Sequence, residues 1–194
     1  MRALQRALDI VFGGRTDANI PGVLGLGGSV QPLRRQGYVP EDRAWVAVHG
    51  NEERLRELVD KNAGAIVGGV TAGSARAKSV TAGDDGRLWV TITGSELDNL
   101  LGAIKSATDA LVDRRFEPVC AVVEFRYIGR RHRAVSTKQV AMVYDFHAGA
   151  WYPFAPIRRG ERVDTIEREV HESVDEEFEL QDRSRTTPYW DVPF

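Results

Sequence analysis

Two runs, "PVCAVVEFRYI" (118–128) and "KQVAMVYDF" (138–146), constrain the fold more than any other part of the chain. Both are rich in β-branched and aromatic residues, and each is bounded by turn-forming text, so both are predicted strands. The basic loop "GRRHRAVST" joins them as a hairpin, and "HAGA" turns the chain again into "WYPF" (151–154). Trp151, Tyr152 and Phe154 each bury on the order of 150–250 Å² when covered. Pro153 and Pro156 remove backbone donors and keep the chain extended or turned, which places this third strand at an end or edge of a sheet.

The remaining text alternates hairpins and helices. "AWVAVHG" (44–50) reads as a strand. "NEERLRELVDKNAG" reads as a helix capped by Asn51, with Leu55, Leu58 and Val59 inward and Gly64 as its stop. "KSVTAGDDGRLWVTITG" reads as a hairpin in which Leu88, Val90 and Ile92 alternate with Trp89, Thr91 and Thr93. Ser95 is the expected N-cap of a helix whose apolar stripe runs through Leu97, Leu100, Leu101, Ile104, Leu111 and Val112 to near Arg115. A last helix places Val163, Ile166, Val170, Val174 and Phe178 on one face. This order predicts an α+β fold with a mainly antiparallel sheet and flanking helices, and it resembles small secretion-chaperone folds. Residues 1–40 are expected to be an amphipathic helix, "MRALQRALDIVF", followed by a Gly/Pro-rich arm, and 41–194 a single α+β domain with an aromatic tail. The stretch 65–77 is expected to be a loop.

Charge and cysteine usage narrow the function classes. Twenty-six basic and 28 acidic residues leave a net charge of −2, so no global field recruits nucleic acid. Cys120 is the only cysteine, which excludes an internal disulfide framework and a cysteine-based zinc site, and a reducing cytoplasm is the expected location. No stretch has the ~18–20 continuous apolar residues of a spanning helix. Glu167, His171 and Asp175 share a helix face at metal-ligand spacing, but the surrounding charges favour a solvated stripe. His49, His132 and His147 are scattered, and no pattern ties one to a nucleophile. "PGVLGLGGSV" lacks the spacing of a phosphate-binding loop. Arg130, Arg131, His132 and Arg133 make a compact basic loop that can meet a phosphate or an acidic helix, although a solvated hairpin loop is the preferred reading. Residue chemistry alone thus favours a non-enzymatic protein without cofactor.

The stretch "VAMVYDFHAGAWYPFAPI" resembles the signature of the PspAB family of proteins associated with phage shock protein A. "GRT" (14–16), "AWVAVHG" before a helix and the closing "PYWDVPF" accompany it. The resemblance runs over the whole chain. It implies an accessory or adaptor role in an envelope-stress response whose central component, PspA, is a coiled-coil protein that remodels membranes. No catalytic residues come with the resemblance. A peripheral membrane contact by the first helix is an alternative to its docking on the core, which is the expected fate.

Two rival classes stand beside the adaptor. One is a small-ligand-binding or hydrolytic enzyme using Asp145, His147 and Glu124 near the central hairpin. The other is a chaperone-like binder of secreted chains, suggested by the fold analogy alone. The corner formed by Trp151, Tyr152, Pro153, Phe154 and Pro156 is a candidate partner surface or a structural clasp. The tail favours the clasp: Pro188 and Pro193 keep it extended, while Tyr189, Trp190 and Phe194 offer rings to cover the corner.

Overall fold

The computed structural model describes residues 20–66, 75–129, 139–174, 180–186 and 188–194. It opens with a 3-10 segment (Ile20–Ser29) and α1 (Val30–Arg35), then β1 (Tyr38–His49), α2 (Glu52–Ile66), β2 (Ala75–Ala82) and β3 (Arg87–Gly94). There follow α3 (Leu97–Asp113), β4 (Glu117–Tyr127), β5 (Gln139–Asp145), β6 (Ala150–Phe154), β7 (Pro156–Arg158), β8 (Glu161–Arg162) and α4 (Asp164–Val174). Six strands form one sheet in the order β2-β3-β1-β4-β5-β6, with every neighbouring pair antiparallel, and β7–β8 form a separate ribbon. The fold is α+β, as the alternation of hairpins and helices predicts. No described helix is long and apolar enough to cross a membrane.

Side-chain alternation divides the core into two clusters, one on each face of the sheet. Val46 and Val48 of β1, Val90 and Ile92 of β3, Val123 and Phe125 of β4, and Met142 and Tyr144 of β5 point to one face. There they meet Val23 and Leu26 of the 3-10 segment, Leu55 of α2, Leu100, Ile104 and Leu111 of α3, and Ile166 and Val170 of α4. The intervening residues, Trp45, Ala47, Trp89, Cys120, Val122, Ala141, Val143, Tyr152 and Phe154, point to the opposite face. No helix contributes to that second cluster among the described residues; its cover comes from Tyr189, Trp190 and Val192 of the tail. This explains why the central strands read as near-continuous apolar runs: both of their faces are buried.

Several local expectations change. Residues 20–35, expected to lie in an adaptable arm, are helical, with Val23, Leu26 and Leu33 fully buried. Gly22 is there for close approach: a Cβ at that position would lie 2.4 Å from the buried Tyr144 hydroxyl. β1 starts at Tyr38, ahead of the expected first strand, and β2 takes in Ala75 to Ala77. Asn51 caps α2 by accepting the Arg54 N–H at 2.8 Å, but Gly64 does not end the helix, which continues to Ile66 and buries it. Ser95 is not the cap of α3; Glu96 holds that position without a side-chain cap bond. The expected helix in residues 1–12, the loop at 67–74 and Phe178 of the expected last helix lie outside the described residues, and Val163 stands just before α4, which starts at Asp164.

β6 is one of the sheet's two edge strands, opposite β2, and its outer side is closed piece by piece. Pro153 has no N–H to offer, the Gln181 N–H donates to the Trp151 carbonyl at 2.7 Å, and the Ala155 N–H donates to Glu167 Oε1 at 3.0 Å. The Val163 N–H donates to the Ala155 carbonyl at 2.9 Å. Such devices keep an edge from recruiting another strand.

Candidate functional site

The tail-covered face begins at the β2–β3 turn. Asp191, in the middle of the tail, lowers its carboxylate into this turn. Its Oδ2 accepts hydrogen bonds from the Asp84 backbone N–H at 2.8 Å and from Trp89 Nε1–H at 3.0 Å. Arg87 donates to both oxygens, from Nε at 3.3 Å and from Nη2 at 2.9 Å. The two side chains are only 13 % and 7 % exposed, so this is a largely buried, two-pronged ion pair. Burial alone would push the Asp191 carboxyl up, but the hydrogen bonds from Arg87, Trp89 and the Asp84 N–H outweigh it and hold it below its usual 3.8. The turn can close on the carboxylate because residue 83 is glycine. A Cβ there would lie 2.2 Å from Asp191 Oδ2 and 2.6 Å from Trp89 Nε1.

Around this clamp the rings interlock across the sheet. Tyr189 meets Trp89 edge-on at 6.3 Å and lies under the Arg87 guanidinium, 5.3 Å from its ring centre. Trp190 meets Phe154 at 5.2 Å, and Phe194 meets Trp45 at 5.5 Å. These edge-to-face contacts suit the ring quadrupoles and add to the area each ring buries. Cys120 lies beneath, against Tyr189; burial pushes its thiol well up, as it does the Tyr152 and Tyr189 hydroxyls. None of these groups is a ready anion for nucleophilic chemistry at neutral pH.

The tail leaves a cleft of about 170 Å³ between itself and the β7–β8 ribbon. Phe154, Trp190 and Phe194 line it together with Ile157, Arg158 and Arg159. Ile157 is 41 % and Phe194 38 % exposed, among the few large apolar side chains left wet. Arg159 pairs with Asp84 at 2.7 Å, tying the ribbon to the turn that holds Asp191, and Arg158 pairs with Glu161. A second cleft, of about 240 Å³, lies between α2 and the end of α3 and is lined by Arg54, Glu57, Leu58, Lys61 and Arg114.

The predicted corner is split by strand alternation. Tyr152 and Phe154 face the tail, whereas Trp151 turns to the helix face. There it packs on Tyr144 at 5.2 Å and donates from Nε1 to the Gly22 carbonyl at 3.0 Å. The tail therefore does not cover Trp151; the 3-10 segment does. Pro153 is buried in β6, Pro156 is half-buried at the start of β7, Tyr189 is buried and Trp190 half-buried. Arg130, Arg131, His132 and Arg133 lie outside the described residues.

The enzyme-like trio is not brought together. Asp145 Oδ1 accepts the His147 and Ala148 backbone N–H groups at 2.8 and 3.0 Å and so shapes the β5–β6 turn, on which His147 is exposed. Glu124 pairs in register with Ala141, four residues along β5 from Asp145, a separation of roughly 13 Å. Its carboxylate accepts from Arg43 at 3.0 Å and from Gln139 at 2.5 Å; burial nonetheless pushes its carboxyl above the usual 4.5. Glu167, of the candidate metal face, is buried and engaged by Ala155 and Arg162, and Asp175 lies outside the described residues. Among the described residues no group of three acidic, His or Cys side chains is placed to hold a metal ion. Sequence reasoning missed Asp191, Arg87, Trp89 and Gly83. The available signal was a lone carboxylate set among rings in "PYWDVPF".

A family model described as PspA associated protein B matches residues 23–194. No curated protein and no solved structure matches the chain.

Proposed function

The chain belongs to the PspA associated protein B family, and from that premise we propose that it is a non-enzymatic accessory protein that binds PspA in an envelope-stress response. It acts from the cytoplasm, without cofactor, by docking a helix of the partner's coiled coil. The observation that carries this reading is the cleft between the tail and the β7–β8 ribbon, where the exposed side chains of Ile157 and Phe194 lie beside Arg158 and Arg159. An apolar floor beside Arg158 and Arg159, which stay largely exposed although each is paired with a carboxylate, suits an amphipathic helix that presents one apolar anchor flanked by acidic residues. Co-expression with the PspA-type protein of the same genome, followed by affinity capture, tests it. The partner is expected to co-elute with the wild type and to be lost with Ile157→Asp, a change at an exposed position that leaves the core intact. If the partner never co-elutes while a metal or nucleotide does, the adaptor reading is abandoned.

A further inference from the structure

Residues 188–194 dock on the sheet as a ligand docks. Among the described residues the backbone hydrogen bond made by the tail stays within it, from the Phe194 N–H to the Val192 carbonyl, and no ladder joins it to a strand. What holds the tail to the face is side chains: Tyr189 on Trp89, Trp190 on Phe154, Phe194 on Trp45, and Asp191 in the clamp of Arg87, Trp89 and the Asp84 N–H. The groove beneath exists without the tail's backbone, because its floor is the outer face of five paired strands. Its charge-reading end is built into a hairpin turn in which Gly83 leaves room for a carboxylate.

We propose that this sheet face is a peptide-docking groove with a carboxylate-reading end, occupied in cis by the C-terminal segment, and that it accepts in exchange an extended partner segment of the same chemistry. That segment carries a pair of aromatic residues followed directly by a carboxylate and an aliphatic residue. Arg87 with its two N–H groups selects the carboxylate, as guanidinium forks do, and the wall of Trp45, Trp89 and Phe154 selects the rings. The tether gives the resident tail an effective concentration of order millimolar, so a partner segment succeeds only when it is presented at a membrane or in an assembly, or when the tail is weakened. The inference stands apart from the PspA reading, because it concerns the groove beneath the tail and not the cleft beside it.

The test uses a fluorescently labelled peptide of residues 185–194 and the full-length chain. Asp191→Asn in the chain should raise peptide affinity about tenfold or more over the wild type, because the resident tail has lost its charge-assisted bonds. The same peptide with Asp191→Asn should bind neither protein. As a second arm, a protease site inserted after Thr186 is cut once the protein has folded, and the cut chain should exchange its tail for the labelled peptide. Failure of the cut chain to exchange, or equal binding of the Asn peptide, overturns the proposal and leaves the tail as a fixed part of the core. Tail exchange between copies, seen as a concentration-dependent dimer in sedimentation, assigns the groove to a second copy and overturns the partner-segment reading.

Discussion

Replacing Asp191 by asparagine isolates the clamp, because the shape is kept and the charge removed. Breaking a buried ion pair by deleting one partner costs about 3–5 kcal/mol, whereas an exposed pair is worth about 0–1 kcal/mol. Side-chain exposures of 7 % and 13 % put Asp191 and Arg87 near the buried limit. Two features reduce the loss: Asp85 Oδ2 lies 3.5 Å from Arg87 Nη1 and still balances part of the guanidinium charge, and the asparagine oxygen can accept from Trp89 or the Asp84 N–H. A loss of about 2–3 kcal/mol is expected, which at this chain length lowers the melting temperature by about 4–12 °C. The pH dependence supplies the control. The folded-state pKa of Asp191 lies below its ordinary 3.8, so its contribution is present above the unfolded value and disappears as pH falls through the lower folded value. Melting curves of the two proteins should therefore differ by a constant amount from about pH 5 to 8 and converge in strong acid. A difference under about 1 °C at neutral pH, or one that persists undiminished to about pH 2, refutes the argument.

Gly22→Ala would drive a Cβ to 2.4 Å from the Tyr144 hydroxyl, in a site where Trp151 also bonds the Gly22 carbonyl; overpacking of about 1–3 kcal/mol should appear as a shifted urea midpoint. Cys120 lies under Tyr189, so a thiol reagent should attack it slowly in the native protein. In Asp191→Asn the rate should rise roughly 30-fold if tail opening is the route of access and the substitution weakens the tail by about 2 kcal/mol. An unchanged rate would show that access to Cys120 does not depend on opening of the tail. For Glu124 the folded pKa is raised, so its contribution is present below the unfolded value of 4.5 and is lost as pH rises through the folded value. Glu124→Gln should gain on the wild type between acid and neutral pH and cost no more than about 2 °C at neutral pH, as read by differential scanning calorimetry.

The strands were legible because their signal is local. Period-two alternation and β-branched composition located the five strands from β2 to β6, as well as the core of β1, and the i, i+3, i+4 stripe located α3 and α4. What failed were judgements that depend on a distant neighbour. Gly22 reads as a loop residue until Tyr144, far along the chain, is seen to occupy the space a side chain would fill. Gly64 reads as a helix stop until Ile66 is seen to be buried in the core, where its burial outweighs the cost of a helical glycine. Ser95 reads as a cap, yet the hairpin carries the chain one residue further before α3 can begin.

The tail shows the same limit more sharply. Its rings announced an apolar surface in need of cover, and strand alternation already required Trp151 to part from Tyr152 and Phe154, since neighbouring residues of a strand face opposite ways. The text could not show that the sheet has an apolar second face on which no helix lies among the described residues. Runs that are apolar at every position are as compatible with helices on both sides as with a strap on one. Asp191 decides between a strap that merely sticks and one that is addressed. Rings alone would slide over a face of Val, Ala and Trp at little cost, whereas a carboxylate that must reach Arg87, Trp89 Nε1 and the Asp84 N–H together fixes the register of every ring beside it. The same requirement makes the contact separable. Weakening one side chain, or presenting a competing carboxylate with rings in the same register, unseats the segment without disturbing any strand beneath it.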